Sequence, residues 1–146
     1  MSPRRFALAV CVLAAAWSTA SCENGTSPLA PRPVDQPTRF SETFFGTLAV
    51  RGSAFYSFQV VVEGTVGITF AGLMTGTNGA ALSTPVELGV GIPAGTGCPT
   101  TATTTASTAL SPQLSTSMTP GIYCVKITDP GNLTAAASFA IRISHY

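Results

Sequence analysis

Four cysteines and one histidine are the residues of this chain with the most specific chemistry. Cys11 lies in an apolar run, and Cys22 directly follows a stretch of small residues. Cys98 and Cys124 lie far from both, and the absence of a Cys-x-x-Cys motif argues against a redox couple. In an exported protein we expect these two to form a structural disulfide. The bond would pin the segment around Cys98 to the outer face of the strand that carries Cys124.

His145 is the only histidine of the chain. It continues the alternation of Phe139, Ile141 and Ile143, so we expect it to mark the end of a strand. A hydrolytic triad needs a serine or cysteine, a histidine and a carboxylate together, and no Gly-x-Ser-x-Gly motif is present. We therefore predict no catalytic residue and no enzyme. A small exported hydrolase that uses a serine and His145 is the alternative.

The acidic residues of the domain are scattered along the sequence. Glu42, Glu63, Glu87 and Asp129 each lie near an expected strand end or turn. Zinc sites need clustered thiolates or imidazoles, and calcium sites need several neighbouring carboxylates. We therefore expect solvated carboxylates at the sheet rims, no metal and no cofactor. A facing pair of the glycosidase type is disfavoured, although folding could bring two carboxylates together.

Residues 1–21 are expected to be a cleaved signal peptide. Arg4 and Arg5 precede an apolar run from Phe6 to Trp17, and small residues follow it. That order of a charged, an apolar and a small-residue region is typical of an export signal. The apolar run of about a dozen residues is shorter than the ~20 that a membrane-spanning helix needs. The mature protein is thus expected in the bacterial cell envelope, the periplasm or the exterior.

The signal ends at a cysteine that could carry a lipid. Thr19-Ala20-Ser21-Cys22 resembles the bacterial lipobox, although that family usually has leucine where this chain has Thr19. The resemblance implies that Cys22 receives a diacylglyceryl group and becomes the new N-terminus. Such a lipid would hold the protein on a membrane, at ~0.8 kcal/mol for each buried CH₂. Ordinary cleavage after Ala20, which leaves no lipid, is the alternative.

Residues 22–38 are expected to be a tether between the lipid and a folded domain. Proline is dense in this segment, at positions 28, 31, 33 and 37. Proline favours extended chain and denies backbone donors to a sheet. We therefore place the folded domain at residues 39–146.

The domain alternates apolar and polar residues with a period of two, which is typical of half-buried strands. Glycine, proline and asparagine turns separate the runs. We expect strands at 54–62, 65–73, 86–92, 121–129 and 137–145, with weaker ones at 43–50 and 110–118. This pattern predicts an all-β fold, an antiparallel β-sandwich or jelly roll of about seven to eight strands.

The segment 96–108 contains seven threonines and little else of distinct chemistry. We expect a solvated loop here without a specific role. Part of it could be an edge strand, since threonine tolerates strands. Two other hypotheses are a contact surface of hydroxyl and methyl groups and a site of sugar attachment.

Three segments resemble bacterial pre-peptidase C-terminal domains. Thr43-Phe44-Phe45-Gly46-Thr47-Leu48 and the following Gly52-Ser53-Ala54-Phe55-Tyr56-Ser57-Phe58 are similar to the opening of that family. Pro120-Gly121-Ile122-Tyr123-Cys124-Val125-Lys126-Ile127 is similar to one of its later strands. The resemblance implies a jelly-roll sandwich with a non-catalytic accessory or binding role. Some members bind calcium through clustered acidic residues, which this chain lacks.

The charge balance excludes nucleic acid as an expected partner. The net charge is +1, only 9% of residues are charged, and removal of Arg4 and Arg5 leaves no basic stripe. We therefore expect an exported, lipid-anchored, non-catalytic module of the bacterial cell envelope. The lipid would attach the module to a membrane. The module itself would bind a polysaccharide or a protein, or it would be a purely structural component of the envelope. A modulator or inhibitor of an exported protease, presenting the loop around Cys98, is a further alternative.

Overall fold

The alternating pattern forms strands throughout the domain. A computed structural model of the protein describes residues 37–76 and 79–146. Its strands are β1 (Phe40–Leu48), β2 (Ser53–Val60), β3 (Gly64–Thr75), β4 (Val86–Gly91), β5 (Thr100–Ala106), β6 (Leu114–Met118), β7 (Gly121–Thr128) and β8 (Ala137–His145). The described residues contain no helix that could cross a membrane. The predicted signal peptide, the lipidation site Cys22 and nearly all of the tether lie outside them.

The strands form two antiparallel sheets of four. Sheet A has the order β1-β8-β3-β6, and sheet B has the order β2-β7-β4-β5. The first strand pairs with the last, the second with the seventh, the third with the sixth and the fourth with the fifth. These are the pairs of one long hairpin rolled into two layers, which is the jelly-roll arrangement. The predicted fold class is confirmed.

The inward-facing residues of both sheets fill the space between the layers. β8 lies between β1 and β3, and its Phe139, Ile141 and Ile143 are buried as predicted. They share a face because successive strand residues point to opposite sides of a sheet. Their removal from water is the main favourable term in folding. Other large and fully buried side chains are Leu48, Ile68, Phe70, Leu73, Leu88 and Ile127.

Three apolar residues that the alternation assigns to the core are exposed instead. Val50, Val62 and Ile92 each lie just beyond the end of a strand, and the prediction is wrong for them. Each residue continues the apolar–polar alternation of the sequence, but the chain at that point no longer pairs with a neighbouring strand. The pattern of apolar residues does not record where pairing stops.

The threonine-rich segment is largely a strand, so the expectation of a loop over 96–108 is wrong for β5, and the alternative that part of the segment is an edge strand is confirmed. This strand pairs with β4 at the edge of sheet B. The branched Cβ of threonine suits a pleated strand. Hydrophobic alternation does not detect the strand because threonines occupy both of its faces. The exposed outer face consists of Thr101, Thr103 and Thr105.

The weak strand expected at 110–118 begins only at Leu114. Residues 107–113 form a loop that lies along β3 instead. The Gln113 side chain accepts a hydrogen bond from Phe70 N–H (2.8 Å), and Ala109 N–H donates to the Phe70 carbonyl (2.9 Å). Pro112 cannot donate to a ladder, which favours the loop at this point.

Candidate functional site

Cys98 and Cys124 form the predicted disulfide, with their Cα atoms 5.9 Å apart. Cys124 points to the outer face of β7, opposite Ser57 of β2 and Gly91 of β4. It is nevertheless fully buried, because the segment before β5 covers it. The bond thus holds this segment against the outside of sheet B, and neither thiol is free.

The segment between β4 and Cys98 contains a closed turn. Ala94 N–H donates to the Gly97 carbonyl and Gly97 N–H donates to the Ala94 carbonyl, each at 3.0 Å. Gly95 has a φ of 56°, in the left-handed region that favours glycine. Ile92 at the base of the turn is exposed. A modulator of an exported protease, the further alternative from the sequence, would present this loop. Ala94 and Gly97 of the loop hydrogen-bond to each other.

The His145 ring contacts the Glu42 carboxylate through one nitrogen and lies near a backbone carbonyl with the other. Nε2 lies 2.7 Å from Glu42 Oε1, and Nδ1 lies 3.4 Å from the Tyr146 carbonyl oxygen. The ring is buried between Phe40 and Phe58, with centroid distances of 6.3 and 5.7 Å. Among the described residues, no hydroxyl group hydrogen-bonds to this ring. His145 ends β8, as predicted, and its carboxylate partner fixes the end of the strand.

Glu42 is therefore not the isolated rim carboxylate that the sequence predicts. The register of β1 against β8 places Phe40 opposite His145. Glu42, two residues along β1, reaches the ring from the same inward face. The two residues are 103 positions apart in sequence. No local pattern marks this pair, because it depends on which strands become neighbours.

Asp129 is buried, whereas the sequence predicts a solvated side chain at a turn. Its Oδ2 accepts a hydrogen bond from Arg51 N–H at 2.8 Å. Its Oδ1 accepts from the N–H groups of Gly131 (3.0 Å), Asn132 (2.8 Å) and Leu133 (3.2 Å). Arg51 has a φ of 57°, an uncommon conformation for a non-glycine residue. The carboxylate thus ties together the turns that follow β1 and β7.

The pKa of Asp129 lies below its ordinary value. Burial is the largest single cause and raises the pKa, because it penalises the charged form. The four backbone N–H donors together lower the pKa by more, because they stabilise the ionised carboxylate. Asp129 therefore stays ionised as a structural anchor.

The other two acidic residues of the described domain lie at its surface, as the sequence predicts. Glu63 and Glu87 are exposed. In the described part of the chain, no three histidine, cysteine or acidic side chains lie close enough together to hold a metal ion.

A cleft of about 230 Å³ lies between the β4–β5 end of sheet B and β6 of sheet A. Tyr123 borders it, and its O–H donates to the Thr119 carbonyl at 3.0 Å. Such a cleft presents hydroxyl donors and acceptors beside apolar carbon. The lining residues include no charged side chain; they are Val90, Gly91, Ile92, Thr101, Ala102, Thr116, Ser117, Met118, Thr119 and Tyr123.

A second concave surface lies on the outer face of sheet A. Phe45, with 71% of its surface exposed, and Met74 stand on either side of Ala140 and Ser138 of β8. The groove between them measures about 340 Å³. It is more apolar than the first cleft, and sequence alternation marks only Phe45 as outward-facing.

No protein-family model matches the chain, and no curated protein matches it. The resemblance to pre-peptidase C-terminal domains stays an expectation. Its motif segments fall in β1, in β2 with the turn before it, and in β7 with the turn before it. The function proposed below therefore depends on the residues of the domain itself.

Proposed function

We propose that this chain is an exported, lipid-anchored, non-catalytic module of the bacterial cell envelope that binds a neutral, hydroxyl-rich ligand such as a polysaccharide. One observation carries the proposal: the two cysteines, the histidine and the buried aspartate of the described domain are bonded to other parts of the sandwich. Cys98 is bonded to Cys124, His145 to Glu42, and Asp129 to four backbone N–H groups. A nucleophile or general base needs a free atom within reach of substrate.

Two features support export. A disulfide persists in oxidising compartments and is rare in the cytosol. The order of charged, apolar and small residues before Cys22 supports the same location and adds an attachment point for lipid.

The cleft beside Tyr123 supports a neutral ligand. Its lining includes five residues with hydroxyl groups and no residue with a charge. Hydroxyl groups both donate and accept, as sugar hydroxyls require. Ile92, which is 61% exposed, offers apolar contact for the C–H faces of a sugar ring. Polar groups in an apolar setting are the usual composition of a ligand site.

Lipid attachment is tested by expressing the full chain in a bacterium fed with an alkyne-bearing fatty acid. We expect the label in the membrane fraction, and its loss in Cys22→Ala. The double variant Cys98→Ala/Cys124→Ala is the matched control and should keep the label. An unlabelled wild-type protein in the soluble fraction would remove the anchor from the proposal.

Ligand binding is tested with the exported Cys22→Ala chain by co-sedimentation with insoluble neutral and acidic polysaccharides. We expect binding to a neutral polymer that weakens in Tyr123→Phe and Thr116→Val. Ser57→Ala, which removes an exposed hydroxyl from the outer face of β2, should bind as the wild type does. Binding that weakens only in Phe45→Ala would move the site to sheet A. No binding to any polymer would contradict the ligand class.

The hydrolase alternative has its own test. Any hydrolytic activity of the purified chain should be unchanged in His145→Ala, provided that circular dichroism shows a folded variant. Loss of activity in a folded His145→Ala protein would overturn the non-catalytic assignment.

A further inference from the structure

We propose that β5 pairs antiparallel with β5 of a second copy of this chain, so that two B sheets join into one sheet of eight strands. β5 has a strand neighbour, β4, on one side only. The free side of an edge strand presents unpaired backbone N–H and C=O groups, which are a template for another strand. The inference goes beyond the proposed function, because it concerns the free backbone edge of β5, although Thr101 and Ala102 of this strand also line the cleft beside Tyr123.

The other sheet edges have contacts or a short length that β5 lacks. On the β1–β2 side, Tyr56 O–H donates to the Phe45 carbonyl (2.8 Å), and the Tyr56 ring stacks on Phe44 with centroids 4.9 Å apart. These contacts link the two edges to each other. β6 has only five residues, between Pro112 and Pro120. β5 has seven residues, with no proline and no charge among them. Proline, charge, short length and β-bulges are the devices that normally protect edges. Of these, β5 has a bulge at Thr101 in its pairing with β4, and Pro99 directly precedes the strand.

The sequence of β5 is complementary to itself. Antiparallel pairing about Thr103 sets Thr103 opposite its own copy and Thr101 opposite Thr105 of the other copy. These residues lie on the exposed outer face, and cross-strand threonine pairs are favourable. Identical patches that meet about a two-fold axis form the commonest type of dimer. A peptide of another protein that adds to a sheet edge is selected by pockets for its side chains. The row of threonines on β5 is instead complementary to the same row of a second copy.

Charge does not oppose the dimer. Glu87 of β4 lies opposite Thr105 and is the acidic residue of the adjoining strand. In the joined sheet, the two Glu87 residues are three strand spacings apart across the sheet and four residues apart along it, which gives about 20 Å. Salt screens exposed charges at that separation, since the screening length is ~8 Å at physiological ionic strength.

Thr103→Cys tests the pairing in the full exported chain. Cysteines at the two-fold axis face each other across the strand pair, close enough to be bridged. We expect mild oxidation of cells to give a covalent dimer. Ser117→Cys, exposed on β6, is the matched control and should stay monomeric. Thr101→Cys should cross-link only when it is co-expressed with Thr105→Cys. Absence of the Thr103→Cys dimer, or equal cross-linking of Ser117→Cys, would overturn the proposal.

Sedimentation of the purified chain gives a second measurement. The wild type should show a dimer that dissociates on dilution, while Thr103→Lys and Thr103→Glu should each be monomeric. A mixture of the two variants should associate again, because lysine then meets glutamate at the axis. The native Cys98–Cys124 bond, verified by mass spectrometry, shows that each variant is folded. A wild type that is monomeric at all concentrations, or a mixture that does not associate, contradicts the pairing.

Discussion

Asp129 lies in a turn and is nevertheless buried, because backbone N–H groups surround its carboxylate. Aspartate followed by proline and glycine is a common turn sequence, and its side chain often accepts hydrogen bonds from residues just ahead. The bonds to Gly131, Asn132 and Leu133 are therefore within reach of sequence reasoning. The bond from Arg51 is not, because it joins residues 78 positions apart.

Asp129 predicts how stability depends on acid. Its pKa is lower in the folded than in the unfolded chain, so its contribution is complete above the unfolded value of about 3.9 and is lost as pH falls through the folded pKa. We expect the free energy of unfolding of the wild type to fall more steeply in this acid range than that of Asp129→Asn. At neutral pH, Asp129→Asn should unfold at lower urea concentration. Urea titrations across the acid range measure both effects.

Glu87→Gln is the control for this prediction. Its carboxylate is exposed, so the variant should keep the wild-type urea midpoint at neutral pH. Identical acid slopes for Asp129→Asn and the wild type would contradict the role assigned to the buried carboxylate.

At the scale of strands, β8 and β5 show what a periodic pattern can and cannot predict. The inward face of β8 consists of phenylalanine and isoleucine, so its alternation is plain in the sequence. β5 has threonines on both faces and owes its place to pairing with β4. The contact of His145 with Glu42 was beyond prediction for a related reason, since it needs the β1–β8 register. The alternation of apolar residues indicates which side chains of a strand face the core. Which strands become neighbours is decided only when the strands assemble.

Two isoleucines allow a matched test of the core. Ile141 of β8 is fully buried and pairs with Phe44 of β1 and Phe70 of β3, whereas Ile122 of β7 is 61% exposed. Ile141→Ala should destabilise the domain by about 2–5 kcal/mol, because it leaves a cavity. Ile122→Ala should change stability by less than about 0.5 kcal/mol. Urea unfolding of both variants measures the difference, and comparable losses would contradict the assignment of the core.

At the scale of the whole molecule, the jelly roll makes distant parts of the chain neighbours. β1 lies beside β8 and β2 beside β7, so the sheets join the beginning of the domain to its end. The ring of Tyr146 lies 5.2 Å from the Arg39 guanidinium, and the Tyr146 carbonyl accepts hydrogen bonds from Val61 and Val62. Most of the stabilising contacts therefore form only when the chain is nearly complete. The Cys98–Cys124 disulfide in sheet B restricts the unfolded chain even when those contacts have not formed.

The Cys98–Cys124 bond closes a loop between residues 26 positions apart. On the chain-entropy account, a loop of this length stabilises the folded state by roughly 3–4 kcal/mol. Cys98→Ala/Cys124→Ala should lower the free energy of unfolding by about that amount, because the unfolded chain regains its freedom. A thiol reductant should lower the unfolding midpoint of the wild type and leave that of the double variant unchanged. A wild-type midpoint that does not respond to reduction, with free thiols verified chemically, would mean that sheet contacts alone hold the segment against β7.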